Sequence, residues 1–262
     1  RMQSVFAHEM MGLRLSPRGA AEPLDQLCLG SRGLVSSDAG AAHAHPGGEM
    51  ELLLIRHADP DYAHDTLTEK GRRQAQLLAE HLRGSPIDLL FVSPLGRARH
   101  TAEYLVQSKG LAFEVVEFLA ELNGRYTDSL YAWNYHGCDL YRSGLEISMT
   151  NWPGRVPYGV HMEPVYRAFV SQFDTFISRF GLTPSGCLYE LTQTKELSLA
   201  LVCHAGVILT LLSHLLHIPL PIVYSQFRIE PSSVTRLTLE TKENTGVFRL
   251  TALNDMSHTA LL

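Results

Sequence analysis

Residues 52–60, LLLIRHADP, place four apolar residues directly before an arginine and a histidine. A short apolar run that ends in turn-forming residues is typical of a strand buried on both faces of a parallel sheet. We therefore predict a strand over residues 51–55. Ligands of open α/β sheets bind at the carboxyl ends of the strands, so Arg56 and His57 lie at the edge where a functional site is expected.

The rest of the chain alternates between short apolar runs and amphipathic segments. Further buried strands are predicted over residues 87–93, 113–119 and 198–203, with a closing antiparallel hairpin over residues 234–240 and 246–253. Helices are predicted from Thr66 or Thr68 to Gly84, from Ser93-Pro94 to Gly110, over residues 163–180 and over residues 204–217. This alternation favours an α/β fold: a three-layer α/β/α domain with a mostly parallel central sheet and helices on both faces.

Two segments depart from the alternation. Residues 123–160 are irregular and rich in aromatic residues, which predicts a lid insertion whose aromatic side chains either pack together or indicate a substrate with a ring or an apolar part. Residues 1–49 are rich in Ala, Gly, Ser and Pro, so we predict a disordered leader before a domain at residues 50–262. Because the chain begins at Arg1, and Met50 precedes the first strand, a cloning or start-site artefact is an open alternative for the leader.

The composition argues against several classes of protein. The chain has 262 residues, 45% of them hydrophobic, and a formal net charge of −5, so no basic field favours a nucleic-acid partner. No apolar run approaches the roughly 18 residues that a membrane span needs, and we expect no membrane partner. The four cysteines form no Cys-x-x-Cys pair, which indicates reduced thiols, a cytoplasmic protein and no structural zinc site. Cys203 is interpreted as a packing residue.

Polar residues with complementary chemistry follow several of the predicted strands. Arg56 and His57 follow the first strand, Arg97 lies at the start of the helix after the second, Glu121 follows the third, and His204 precedes the helix after the fourth. The carboxyl ends of parallel strands meet at one edge of a sheet, so we expect these side chains to converge. Arginines and helix N-termini both suit anions with several oxygens, and the pattern predicts a site for a phosphoryl group.

These residue types also suit a reaction at phosphorus. A neutral histidine can attack phosphorus and form a phosphohistidine, while a protonated second histidine and the arginines stabilise charge on the phosphoryl oxygens. A carboxyl group can protonate the leaving alkoxide and then activate water, and Glu121 has the right type, although Glu114 and Glu117 lie nearby. Taken singly, each residue also has an ordinary interpretation as a strand end, a helix cap or a solvated side chain. The combination of several strand ends favours a site.

Five motifs together resemble the histidine phosphatase superfamily, also called the phosphoglycerate mutase-like family. In chain order they are LLLIRHADP, LTEKGRRQA, SPLGRARHTAE, FLAELNG and VCHAGVI. The resemblance implies His57 as the nucleophile that accepts the phosphoryl group, and Arg56, Arg97 and His204 as residues that bind it. It further implies Glu121 as the proton donor, no metal and no cofactor. The expected partner is a small phosphorylated molecule.

The sequence also departs from the family pattern after His57. Ala58 replaces the usual glycine. The segment up to residue 67 is short and, at the matching offset, has neither the Thr or Ser nor the Asn that help to hold phosphate in the mutases and in many broad phosphatases. We expect Asp59 and Asp61 to lie near the pocket and repel a second acidic group on the substrate, which favours a phosphatase. A phosphoglycerate mutase-type phosphotransferase and an inactive phosphate-binding module remain the alternatives.

Overall fold

The computed structural model describes most of the chain after the leader. The described residues are 50–124, 131–134, 136–142, 144, 146–154, 158–192 and 196–260. The predicted leader, residues 1–49, and part of the predicted lid lie outside them. Within the described residues, no helix is both long enough and apolar enough to cross a membrane.

The elements of this part of the chain alternate as the sequence indicates. In chain order they are β1 (Met50–Arg56), β2 (Pro60–Asp61), β3 (Thr66–Leu67), α1 (Glu69–His81), β4 (Leu89–Val92), α2 (Gly96–Lys109), β5 (Phe113–Val115), a 3-10 turn (Glu117–Leu119), a 3-10 turn (Ala132–Asn134), α3 (Gly137–Tyr141), α4 (Tyr158–Ser178), β6 (Leu182–Ser185), β7 (Leu188–Leu191), β8 (Leu197–Cys203), α5 (Ala205–Leu216), α6 (Leu220–Gln226), β9 (Val234–Lys242), β10 (Thr245–Asp255) and a 3-10 turn (Ser257–Thr259).

Eight strands form one mixed sheet in the order β5-β4-β8-β1-β9-β10-β7-β6. The pairs β5-β4, β4-β8 and β8-β1 are parallel, and the remaining four pairs are antiparallel. The predicted α/β architecture is confirmed. β1 lies between parallel β8 and antiparallel β9, so its carboxyl end is held from both sides.

Successive residues of β1 enter different cores on the two faces of the sheet. Leu52 and Leu54 belong to the larger core, which includes residues of α4 and α5, whereas Leu53 and Ile55 belong to the core with residues of α1 and α2. All four side chains are 0% exposed, and each such burial contributes about 1.5–3 kcal/mol. The uninterrupted apolar run is thus explained by a strand that is covered on both faces.

Several predicted boundaries are wrong in detail. α2 begins at Gly96 with Leu95 as its cap, because the hydroxyl of Ser93 is engaged by His204 as well as by the Leu95 N–H. Thr68 caps α1, as one of the two predicted alternatives expects, but the helix ends at His81 with Leu82 as its C-cap, before Gly84 is reached.

The predicted third strand ends early, at Val115, and continues as a 3-10 turn. Gly110 does close α2, with φ of 69°. The hairpin of β6 and β7 was not predicted, because Pro184 and Gly186 interrupt the apolar pattern there. The proline is tolerated because β6 is the edge strand of the sheet.

The predicted lid over residues 123–160 is only partly irregular. Its described parts include a 3-10 turn, the short helix α3 and the start of α4, which begins at Tyr158 rather than near residue 163. Trp152 is 1% exposed and lies in the larger core. For this residue the structure agrees with the first of the two alternatives, in which the aromatic side chains pack together.

Candidate active site

The backbone of His57 is fixed by two neighbouring segments of the sheet. Its N–H donates to the carbonyl of Cys203 at 2.9 Å, and its carbonyl accepts from the Ser232 N–H at 3.0 Å. The residue is only 2% exposed. Ala58, which follows it, donates its N–H to the hydroxyl of Thr101 at 3.0 Å, so the chain leaves β1 along a defined path.

The ring of His57 is oriented by a hydrogen bond to a carbonyl. Nδ1 lies 2.8 Å from the carbonyl oxygen of Ala58, which can only accept, so Nδ1 carries the proton and Nε2 has a free lone pair. Nε2 is 3.4 Å from Nε of Arg97, which donates toward it. Burial lowers the pKa of His57 to about 3, with Arg56 and Arg97 acting in the same direction, so the imidazole is neutral at physiological pH.

His204 lies beside His57, with the two ring centroids 5.0 Å apart. Nε2 of His204 is 2.7 Å from the Ser93 hydroxyl, whose oxygen also accepts from the Leu95 N–H at 3.2 Å. Among the described residues, Nδ1 of His204 is buried without a hydrogen-bond partner. If the Ser93 hydroxyl donates to Nε2, Nδ1 carries the proton and offers a donor to a bound anion.

The protonation expected of this second histidine does not hold in the free protein. Burial, followed by the nearby His57 and the two arginines, lowers the pKa of His204 well below its ordinary value. His204 is therefore neutral, and it can contribute a hydrogen bond rather than a full positive charge.

The two arginines are held by different partners. Nη1 of Arg56 donates to the carbonyl of Ile229 at 2.6 Å, and its Nε is buried without a partner among the described residues. Nη1 of Arg97 pairs with Oδ1 of Asp65 at 2.7 Å, while Oδ2 of Asp65 accepts from the Gly96 N–H at 2.6 Å. Asp65 thus holds the Arg97 side chain and the first backbone N–H of α2, the helix that carries Arg97.

Asp65 was not predicted as a site residue. Its partners lie more than 30 residues away in the sequence, so no local pattern could reveal the contact. Partial burial raises the pKa of Asp65, but hydrogen bonds from the Gly96 N–H and Arg97 outweigh this effect and hold the pKa below its ordinary value. A methyl group at Gly96 would lie 2.1 Å from the Asp65 carbonyl oxygen, so this close approach requires glycine.

Glu121 meets the N-terminus of α5. Its Oε1 accepts from the Leu122 N–H at 3.0 Å, and the carboxyl group also accepts from the Gly206 N–H. A methyl group at Gly206 would lie 2.6 Å from this oxygen, so glycine is needed for the contact. Burial raises the pKa of Glu121 despite these two hydrogen bonds and the nearby arginines.

The structure brings the five predicted side chains close together, beside a cleft of about 900 Å³ that three of them line. Arg56, Arg97 and Glu121 line it, and the buried histidines adjoin Arg97. Among the described residues, no cluster of three or more His, Cys, Asp or Glu side chains is placed to hold a metal ion. Arg125, near Glu121 in the sequence, lies outside the described residues.

The expected role of the first two aspartates after His57 is wrong. Asp59 accepts a hydrogen bond from the Thr68 hydroxyl at 2.6 Å, and Asp61 pairs with His64 at 2.7 Å. Neither residue lines the cleft. Repulsion by these carboxylates therefore gives no reason to prefer a phosphatase over a mutase. Cys203 is fully buried, as expected of a packing residue, and burial raises the pKa of its thiol well above the ordinary range.

Comparison with known proteins agrees with this arrangement. Residues 52–132 match the family model for the histidine phosphatase superfamily, branch 1. The adenosylcobalamin/alpha-ribazole phosphatase of Salmonella typhi is 31% identical over 194 residues, which cover 69% of this chain and 86% of the relative. The chain belongs to the histidine phosphatase superfamily. The match includes the β1 motif and continues past Glu121.

Other proteins that this chain resembles are named for different activities. Phosphoserine phosphatase 1 of Hydrogenobacter thermophilus is 32% identical over 202 residues, covering 60% of this chain and 95% of the relative. A probable phosphoglycerate mutase of Erwinia tasmaniensis is 28% identical over 143 residues, covering 49% and 64%. The solved phosphoserine phosphatase of Entamoeba histolytica superposes with a TM-score of 0.54 at 20% identity, covering 80% and 98%, and supports the fold alone.

Proposed function

We propose that this histidine phosphatase superfamily member is a phosphatase that hydrolyses a phosphomonoester through a phosphohistidine at His57. The observation that carries the proposal is the state of the His57 ring. Its Nδ1–H is committed to the Ala58 carbonyl, and its Nε2 is a neutral, unprotonated nucleophile beside the Arg97 guanidinium. A nucleophile in this state needs no base to remove a proton before it attacks.

In the first step, Nε2 of His57 attacks phosphorus and the bond from phosphorus to the ester oxygen breaks. Arg56, Arg97 and the Nδ1–H of His204 donate to the phosphoryl oxygens, where negative charge concentrates. Neutral Glu121 gives its proton to the departing alkoxide, which leaves as an alcohol. The raised pKa of Glu121 supports this role, because the acid must still hold a proton near neutral pH.

In the second step, the Glu121 carboxylate takes a proton from water as the water oxygen attacks phosphorus. The phosphorus–nitrogen bond breaks, inorganic phosphate leaves, and the lone pair returns to Nε2 of His57. Glu121 is protonated again, so the cycle closes without any further acid or base. No metal ion takes part in either step of this scheme.

Two observations favour a phosphatase over a mutase. Three phosphatase relatives are 31–32% identical to this chain, whereas the probable mutases are 27–28% identical. Among the described residues, the cleft lining contains one cation besides Arg56 and Arg97, namely Arg228, which pairs with Glu230 in the same lining. The described residues therefore offer no surplus positive charge for the second acidic group of a phosphoglycerate.

A phosphate-release screen with His57→Ala as its matched control tests the proposal. The wild-type chain should release phosphate from monoesters after chelation of metals, and His57→Ala should lose roughly 10⁴-fold or more in kcat/KM while its circular dichroism and Tm stay close to wild type. Isomerisation of phosphoglycerate without net phosphate release would select the mutase. Phosphate binding without either reaction would indicate a binding module.

A further inference from the structure

The lining of the cleft also includes aromatic side chains, which lie close to Glu121. Tyr131 and Trp133, here called the aromatic wall, lie stacked with ring centroids 4.9 Å apart and an interplanar angle of 17°. Both residues line the cleft, together with Phe227. Tyr131 is 37% exposed, which is a large exposed fraction for an aromatic ring that already has a stacking partner.

The aromatic wall is held in place by the same elements that hold Glu121. A methyl group at Gly124 would lie 2.4 Å from the Trp133 ring, and one at Gly206 would lie 3.0 Å from it. The indole also meets Tyr224 edge to face, with centroids 6.1 Å apart. The indole of the wall is thus packed against neighbouring residues in the absence of a substrate, and a preorganised surface costs less to order on binding.

The cleft is also much larger than a phosphoryl group requires. Its volume of about 900 Å³ lies near the upper end of the range for pockets that bind drug-sized ligands. A three-carbon phosphoacid would leave most of this space filled by water. The aromatic wall and the size of the cleft together indicate a larger alcohol with a flat or apolar part.

We propose that the alcohol part of the substrate carries a ring that packs on the aromatic wall formed by Tyr131 and Trp133. This inference rests on the proposed phosphatase function and names the class of substrate for the same site: ring-bearing phosphomonoesters. The phosphoryl group binds at Arg56 and Arg97, and the ring extends toward residue 131. Packing of a ring on an aromatic face adds binding energy beyond the apolar area that it covers.

Matched substrate pairs test the proposal. Ribose 5-phosphate and a nucleoside 5′-monophosphate have the same reacting ester and differ by the flat base on C1 of the sugar. Ethyl phosphate and 2-phenylethyl phosphate form a second pair. In both pairs the ring-bearing member is the one with the flat base or the phenyl ring. In each pair, the wild-type chain should favour the ring-bearing member by roughly tenfold in kcat/KM. Equal kcat/KM within both pairs would overturn the inference while leaving the phosphatase function intact.

Variants of Tyr131 separate the ring from the rest of the cleft. Tyr131→Leu should lower kcat/KM for the ring-bearing member of each pair much more than for the smaller member, and so remove most of the advantage of the ring. Tyr131→Phe retains the ring and should retain the advantage. Tyr141→Leu, at a tyrosine that is exposed on α3 and does not line the cleft, should change neither pair. Equal losses on both members in Tyr131→Leu would contradict the proposal.

A binding measurement keeps the inference testable even if the chain turns over none of these esters. Calorimetry on folded His57→Ala should give the same preference within each pair as a ratio of Kd values. If the wild-type chain turns over none of the esters but the Kd values still favour the ring, the proposed function alone is rejected. If there is neither turnover nor a preference in Kd, the proposed function and the ring-bearing substrate class are both rejected. Turnover of phosphoserine but not of any ring-bearing ester would reject the ring-bearing class.

Discussion

Two parts of the site are built in different ways: the phosphate end, formed by Arg56, His57, Arg97, Glu121 and His204, and the aromatic wall. At the phosphate end, strand termini and helix N-termini supply the polar side chains, and each of them is fixed by a defined hydrogen bond or by burial. The aromatic wall comes from Trp133 in a 3-10 turn over residues 132–134 and from Tyr131, which directly precedes that turn. The phosphate end is therefore expected to set the reaction, and the aromatic wall to set which alcohol is accepted.

Glu121→Gln is the strongest test of this division that leaves the nucleophile in place. Loss of the acid should lower kcat/KM for alkyl phosphates by roughly 10²–10⁴-fold, because the alkoxide leaves without a proton. With p-nitrophenyl phosphate, whose leaving group needs no proton, the first step should survive and the second should be slow. A burst of p-nitrophenol equal to the enzyme concentration would reveal this, and equal losses on both kinds of ester would contradict the assignment.

The pair of variants Asp65→Asn and Asp61→Asn tests how far the phosphate end depends on positioning. Asp65→Asn weakens the hold on Arg97 and should lower kcat/KM by about tenfold for every ester, large or small. Asp61 lies on the same loop but pairs with His64 away from the cleft, so Asp61→Asn should change little. A loss in Asp65→Asn that fell only on ring-bearing esters would break the distinction between the two parts of the site.

Ser93→Ala tests whether the tautomer of His204 matters. Without the hydroxyl, no hydrogen bond to Nε2 of His204 favours the tautomer with the proton on Nδ1. We expect kcat to fall by roughly threefold to tenfold, and the pH dependence of kcat to change. Ser198→Ala is the matched control. Ser198 lies at the start of β8, and its similarly buried hydroxyl donates to the carbonyl of Pro86. Both variants should lose about 1 kcal/mol of unfolding free energy, and activity should fall in Ser93→Ala alone.

The burial of neutral histidines at the phosphate end also affects stability. Burial lowers the pKa of His57 to about 3, so between that value and about pH 6.5 the unfolded chain binds a proton that the folded chain does not. The free energy of unfolding should therefore fall as pH drops through this window, by up to about 1.4 kcal/mol per pH unit for this residue. Measured by denaturant unfolding, the free energy of unfolding should depend less steeply on pH in His57→Asn than in the wild-type chain. An unchanged pH dependence would contradict a buried, neutral His57.

Much of the phosphate end could be predicted from the sequence because its residues follow buried strands. The apolar runs place Arg56, His57 and His204 at one edge of the sheet by topology alone. Glu121 was correctly placed at the cleft even though the strand before it ends early. Asp65 was missed because it acts through contacts with a distant part of the chain, which no local pattern records.

The aromatic wall could not be predicted in the same way. The sequence showed aromatic residues over 123–160 but did not show which of them face a pocket. The structure separates Trp152, which packs in the core, from Trp133, which lines the cleft. The difference depends on the turn at residues 132–134 and on two glycines that admit the indole, and these are tertiary contacts rather than periodic patterns.

The central claim is a covalent phosphoryl group on His57, and it can be tested directly. Glu121→Gln, mixed with p-nitrophenyl phosphate and quenched under conditions that preserve phosphohistidine, should gain the mass of one phosphoryl group. Peptide mapping should locate the group on His57, and His57→Ala combined with Glu121→Gln should gain none. Turnover by the wild-type chain with no trapped phosphoryl group in Glu121→Gln, or with the group on another residue, would contradict the account.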